Sequence, residues 1–198
     1  NCTEAVLRDR GLKYEPSITP PMYCVTSEAQ LASVEDCESW DHLCIYGCPD
    51  CMQASFDKLH ILNITSTSKQ YSVLLKNAPK ITSLKQPFSH ANISLPRELY
   101  ICSMNGLGDL DGLQMISKAS EISLSSNKLL ESALALQNTK YIRLGVKENP
   151  KLVCVPHHWP LLDKEKRVIR AGQCSCTEAV LQARGLVLQA PGLPLKDS

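Results

Sequence analysis

The chain has 198 residues, enough for one large domain or a domain with a fragment attached. Hydrophobic residues make up 43% and charged residues 21%, near the globular average, which excludes a disordered chain, a collagen and a membrane bundle. A net charge of +1 lacks the basic excess of a nucleic-acid binder, and no apolar run approaches the roughly 20 residues that span a bilayer. No charged-then-apolar leader precedes Asn1, so the chain reads as a mature or trimmed product. Aromatics are only 5%, which suits repeated aliphatic layers better than one aromatic-centred core.

The N-terminal third is rich in cysteine. Cys2, Cys24, Cys37, Cys44, Cys48 and Cys51 precede Cys102, Cys154, Cys174 and Cys176. Three N-glycosylation sequons accompany them, at Asn1, Asn63 and Asn92. Together they point to an extracellular protein, secreted or on a cell surface, that carries N-linked glycans. Cys48-Pro49-Asp50-Cys51 also has redox-motif spacing, and with Cys44 and His42 the group could ligate zinc. The surrounding Gly/Pro/Asp loop favours disulfides.

Residues 2–12, CTEAVLRDRGL, recur as CTEAVLQARGL at 176–186, matching at nine of eleven positions. Each copy reads as a short helix with Thr as N-cap and Gly as the stop. The spacing predicts a module over 1–174 and the start of a second, poorly ordered tandem module over 175–198. Within the first, a Cys-rich cap covers 1–55, repeated strands cover 56–154 and a C-terminal cap covers 155–174.

A shorter repeat fills the middle. YICSMNGL at 100–107 and ISLSSNKL at 122–129 share the pattern apolar-x-apolar-x-x-Asn-x-Leu. Asn105, Asn127 and Asn149 are 22 residues apart. Such units cannot bury their own apolar faces and must stack, with the Asn amides forming a ladder where each strand ends. The predicted strands are 59–64, 72–75, 99–102, 121–125 and 142–146, in one parallel sheet. The spacing puts Tyr100, Cys102, Ile122, Leu124, Leu144 and Val146 inside. Leu99, Ile101, Ser103, Glu121, Ser123, Ser125, Arg143, Gly145 and Lys147 then face outward.

Residues 37–154 resemble the receptor L-domain, on the stretches SFDKLHILNITSTSKQYSVLLKNAPKITSL and GLGDLDGLQMISKASEISLSSNKLL and the closing Asn149-Pro150-Lys151-Leu152-Val153-Cys154. The family forms ligand-binding lobes in relatives of the insulin and epidermal-growth-factor receptors. The resemblance implies an α/β solenoid, a right-handed parallel β-helix of leucine-rich-repeat type. Here it would carry a disulfide-rich N-terminal cap and a short N-terminal helix. It also implies an extracellular recognition lobe, whose expected partner is a protein ligand or a like module on another chain. On this reading the ligand-binding residues are Leu99, Ile101, Ser103, Glu121, Ser123, Ser125, Arg143 and Lys147. The alternative is a structural or adhesive protein of tandem modules in a matrix or cell coat.

Catalytic signatures are absent from the sequence, so no enzyme, cofactor or metal is expected. Gly106-Leu107-Gly108-Asp109-Leu110-Asp111-Gly112 lacks the Lys of a phosphate loop and the Glu of a calcium loop and reads as a solenoid corner. His157 and His158 are adjacent and would point apart on an extended chain, whereas Trp159 suits the end cap. Cys176 aligns with Cys2, which leaves nine cysteines in the first module. The odd one is Cys102, 51 residues from the nearest cysteine, expected as a buried free thiol. The other eight, Cys2, Cys24, Cys37, Cys44, Cys48, Cys51, Cys154 and Cys174, would form four bridges, with Cys154 and Cys174 closing the C-terminal cap.

Overall fold

Apolar residues at alternate positions build the centre of the molecule. In the computed structural model, which describes residues 1–65, 71–89, 93–152, 154–156 and 159, they line five strands of one parallel sheet. In spatial order these are β4 (Leu43–Tyr46), β6 (Tyr71–Lys76), β7 (Ile93–Cys102), β8 (Ile116–Ser125) and β9 (Lys140–Lys147). Each strand lies one turn further along a β-solenoid of about four turns. Leu43, Val73, Leu99, Ile122 and Leu144 stack in one inward column, and Ile45, Leu75, Ile101, Leu124 and Val146 in the next. All are buried except Leu144 and Val146 on the last strand, which are half-buried. Each fully buried aliphatic side chain contributes roughly 1.5–3 kcal/mol.

Every strand ends in the same way. Gly47, Asn77, Ser103, Ser126 and Glu148 occupy one column and all have φ between 53° and 63°. That left-handed conformation costs a non-glycine residue roughly 1–2 kcal/mol. A hydrogen bond offsets it. The N–H groups of Gly47, Asn77, Ser103 and Ser126 donate to the carbonyls of Lys76, Cys102, Ser125 and Lys147, at 2.9, 3.2, 3.0 and 3.0 Å.

The residue after this turn points inward. In the last two turns it is Asn127 and then Asn149, and their amides form a ladder. Asn149 Oδ1 accepts from the Asn127 backbone N–H at 3.1 Å and from Asn127 Nδ2 at 3.0 Å. Asn127 Oδ1 accepts from the Met104 N–H at 2.9 Å, and Asn127 Nδ2 also donates to the Ile101 carbonyl at 3.1 Å. The expected third member, Asn105, is not in it. The β7 turn is one residue longer than the next, so Met104 takes the inward position. Among the described residues Asn105 Oδ1 meets only the Lys128 N–H, at 3.4 Å.

The corner at 106–112 is built by close approach. A Cβ on Gly106 would lie 2.3 Å from the Pro79 carbonyl oxygen, and one on Gly112, at φ +108°, 2.4 Å from that of Leu84. Leu107, Leu110 and Leu113 between and beside them are fully buried. Opposite the main sheet, isolated parallel bridges join Asp109 to Ser132 and Ser132 to Cys154.

The N-terminal end is closed by the cysteine-rich segment. Helix α1 (Glu4–Asp9) is capped by the Thr3 hydroxyl and stopped at Gly11, φ +76°, as expected. The hairpin β1 (Lys13–Glu15) and β2 (Met22–Cys24) and helix α2 (Glu28–Ala32) follow. Strand β3 (Ser39–Trp40) bridges to Cys2 on one side and pairs with β5 (Asn63–Ile64) on the other. Helix α3 (Gln53–Phe56) lies between β4 and β5. Disulfides join Cys2 to Cys37, Cys24 to Cys44 and Cys48 to Cys51. These bonds occupy the thiols that zinc would need. His42, the fourth candidate ligand, is buried with Nε2 3.0 Å from the Tyr23 carbonyl.

Two expectations need correction. The strand expected at 59–64 contributes only β5, outside the five-stranded sheet. The first strand of that sheet is β4, within the stretch assigned to the cap, where Leu43 and Ile45 pair with Val73 and Leu75, whereas Leu59 and Ile61 are buried in the core outside any strand. The strands of the later turns also begin earlier than expected, at Ile93, Ile116 and Lys140. Residues 160–198, with Cys174, Cys176 and the repeated CTEAVLQARGL, lie outside the described residues, as do Asn92, His157 and His158.

Replacing Asn127 with Ala should cost about 3 kcal/mol in urea unfolding, because buried backbone groups lose their partners. Asn105→Ala should stay within about 0.5 kcal/mol. Gly112→Ala should cost at least about 2 kcal/mol, whereas Gly108→Ala, with nothing within 4 Å of its Cβ, should be far milder in the same assay.

Candidate ligand-binding face

The outward residues of the sheet form three columns. Glu98, Glu121 and Arg143 make the first, preceded by Tyr71 on β6. Cys44, Leu74, Tyr100, Ser123 and Gly145 make the second, and Tyr46, Lys76, Cys102, Ser125 and Lys147 the third. The cap hairpin covers the near end, where Ile18, Met22 and Cys24 pack on Cys44 and Leu74. The open part begins at Tyr71 and Tyr100, whose rings lie 5.4 Å apart at 60°. Beyond them Ser123 and Gly145 leave a low floor between a charged first column and the Ser125–Lys147 end of the third.

Five of the expected ligand-binding residues lie on this face: Glu121, Ser123, Ser125, Arg143 and Lys147. Ser103 sits at the turn that follows β7. Leu99 and Ile101 do not face outward. Both are fully buried in the core, opposite Ile122 and Leu124, while Tyr100 and Cys102 stand on the outer face. The cause is the extra residue between Leu99 and its neighbour in the next turn, a step of 23 rather than 22. Since the side-chain period of a strand is two, that residue exchanges the faces of β7. The run Leu99-Tyr100-Ile101-Cys102 is apolar throughout, so alternation could not decide it. The distinguishing signal is Leu and Ile at alternate positions, matching Ile122 and Leu124.

The pairing also adds residues that the spacing missed. Arg97, Glu98, Ser120 and Ile142 join the expected Glu121 and Arg143 around a shallow concavity of about 380 Å³. Ile142 is 75% exposed at its rim. Arg143 and Glu121 approach to 3.8 Å with exposed side chains, a weak surface pair. Burial, with Glu98 and then Glu121 nearby, raises the Tyr71 phenol above its ordinary pKa. Lys76 lies 4.9 Å from the centre of the Tyr46 ring.

Cys102 is a free, buried thiol, as the parity of the cysteines implied, although its place is the outer column. Burial opposes its ionisation. Hydrogen bonds with Ser103, Ser125 and Tyr100 and the charge of Lys76 outweigh that and hold its pKa below the ordinary thiol value. Ser103 Oγ is 3.4 Å from its sulfur. Cys154 is disulfide-bonded. Asn1 and Asn63 are exposed, and the Thr65 hydroxyl of the Asn63 sequon donates to the Trp40 carbonyl at 3.4 Å. Trp159 is buried edge-on to Tyr141 at 6.4 Å, on the last strand. Among the described residues no helix is long and apolar enough to cross a membrane.

No family model, curated protein or solved structure matches this chain.

Non-reducing peptide mapping should recover Cys102 as a thiol. A Lys76→Met variant should raise the pKa of that thiol, read from the pH dependence of its Cβ carbon chemical shift. Removing the cation takes away one of the groups that favour thiolate.

Proposed function

We propose that the chain is an extracellular protein-recognition module, part of a secreted or cell-surface ectodomain, that binds a protein ligand on the outer face of its parallel sheet. The observation that carries this reading is the composition of the open face. Paired tyrosines and an exposed isoleucine adjoin a low serine–glycine floor, with separated charges at the edges, all on a rigid sheet. Tyrosine-rich centres with polar rims are what protein interfaces use. The disulfides fit an oxidising compartment. The exposed Asn63 is suited to carry a glycan away from the face. Within this proposal the solenoid is right-handed and of leucine-rich-repeat type, akin to the receptor L-domain, and the module has no catalytic role.

A second reading, a structural or adhesive protein of tandem modules, is favoured by one observation, the repeat of residues 2–12 at 176–186. Stoichiometry separates the two. A receptor captures one soluble ligand per module, and an adhesive array binds itself.

Screening the folded protein against a panel of extracellular protein domains tests the first reading. For the ligand so found, Ser123→Arg and the double variant Arg143→Glu/Lys147→Glu should each weaken binding at least about tenfold, one hot-spot contact's worth. Unfolding midpoints should hardly move, since surface changes stay within about 0.5 kcal/mol. Binding of both variants at parental strength would sink the outer-face reading.

A further inference from the structure

The main sheet has one closed edge and one open edge. At the closed edge Val25 bridges to Ile45 of β4. Its N–H donates to the Cys44 carbonyl at 2.9 Å and its carbonyl accepts from the Tyr46 N–H at 3.0 Å. At the other edge β9 has no further neighbour among the described residues. The Lys147 carbonyl accepts from the Ser126 N–H and so faces β8. Backbone groups alternate between the two sides of a strand, so those of Leu144 and Val146 face the open edge. Two features of the earlier turns stop there. Glu148 keeps the turn conformation, but among the described residues no strand follows to accept from its N–H. The Ile101 and Leu124 carbonyls each accept from an Asn amide, at 3.1 and 3.0 Å. Val146 is next in their column and has no such donor among the described residues. Apolar surface is left uncovered at the same edge, where Leu144 and Val146 are half-buried and Ile142 is 75% exposed.

The sequence supplies no next turn for this edge. No Asn follows Asn149. The steps between the last three strands are 23 residues, Leu99 to Ile122, and 22, Ile122 to Leu144. A further step of either length would put Arg167 or Lys166 in the core column of Leu144. An open edge with apolar side chains is a template for a strand from elsewhere.

We propose that two copies of this chain pair β9 with β9, antiparallel about a two-fold axis, and so continue one sheet through both. Because Val25 closes the other edge, open edge meets open edge and the assembly stops at two. Alternation and charge select the register. Core-facing residues must lie opposite core-facing residues, so the axis falls at a residue and not between two. An axis at Arg143 opposes the two arginines, and one at Gly145 opposes Arg143 to Lys147 of the second copy. Like charges directly opposite destabilise a pair of strands. An axis at Val146 sets Glu148 of the second copy against Leu144. An axis at Leu144 avoids all three. It sets Leu144 against Leu144, Val146 against Ile142, Arg143 against Gly145 and Lys140 against Glu148. The backbone groups of Leu144 and Val146 then have partners. Arg143 of each copy also stands at the far end of the Ser123–Gly145 floor of the other. The pairing does not depend on what the outer face binds.

Sedimentation equilibrium of the full chain over a range of concentrations tests this, and a dimer is expected. Val146→Pro removes an N–H that faces the open edge and not β8, a place where an edge strand tolerates proline. It should leave the far-ultraviolet circular dichroism unchanged and yield monomer. Gly145 carries the register test and decides the matter even where the proline variant does not fold. A Cβ there meets the Ser123 Oγ at 3.6 Å, an ordinary contact. Gly145→Lys opposes a second cation to Arg143 at two symmetric places and should raise the dimer dissociation constant about tenfold. Gly145→Glu should not weaken the dimer, and Arg143→Glu/Gly145→Lys should restore it. A parent that stays monomeric at every concentration, its edge taken by its own C-terminal residues or by none, overturns the proposal. So does a dimer that survives Val146→Pro in the folded chain. Equal effects of Gly145→Lys and Gly145→Glu overturn it as well, since an axis at Gly145 would set each against itself.

Discussion

The solenoid depends on one constraint, repeated at the end of every strand of its sheet. A residue at positive φ turns the chain out of the sheet, and in the first four turns its N–H bonds to the last carbonyl of the next strand. Glycine adopts this conformation without strain, yet only Gly47 uses it here. Asn77, Ser103, Ser126 and Glu148 are held there by stacking. Asparagine and serine accept the conformation because their short polar groups bond locally. Glu148 also receives a bond from the Ser126 hydroxyl at 2.8 Å, which with Lys147 lowers its carboxyl pKa. Since the bond couples each turn to the following strand, it sets the register of the whole sheet. It thereby decides which side chains enter the core and which form the outer face.

That dependence explains how much could be read from sequence. The last two turns have equal length, so the 22-residue step between Asn127 and Asn149 places Ile122, Leu124, Leu144 and Val146 correctly. The turn before them holds one more residue, and Asn105 falls outside the amide ladder although it repeats the spacing. A pattern keyed to Asn therefore slips by one on β7 and exchanges Leu99 and Ile101 for Tyr100 and Cys102. Strand β4 escaped for another reason. Leu43-Cys44-Ile45-Tyr46 sits among cysteines and reads as part of a disulfide cluster, although Cys44 is an outward strand residue bonded to the cap hairpin.

Composition and parity were more robust than register. Six cysteines in the first 51 residues pair among themselves, and Cys102 remains free. The cap does two jobs with those bonds. It closes the first turn, where Cys2 and Cys37 tie α1 to the strand that starts at Ser39. It also fastens the hairpin over the outer face, so that only the part beyond Tyr71 and Tyr100 is open. The candidate site was half legible for this reason. The charged and serine positions on β8 and β9 follow from alternation, but the tyrosine pair that borders them depends on the pairing of β6 with β7.

Cysteine scanning of β7 and β8 tests that register most directly. Leu99, Tyr100, Ile101, Ile122, Ser123 and Leu124 would be replaced singly by Cys in a Cys102→Ala background, and the folded chains treated with a maleimide before peptide mapping. The register described predicts rapid labelling at positions 100 and 123, and protection at 99, 101, 122 and 124 until the chain is unfolded. Rapid labelling at 99 and 101 with protection at 100 would contradict it, and would return the core of β7 to the alternative face.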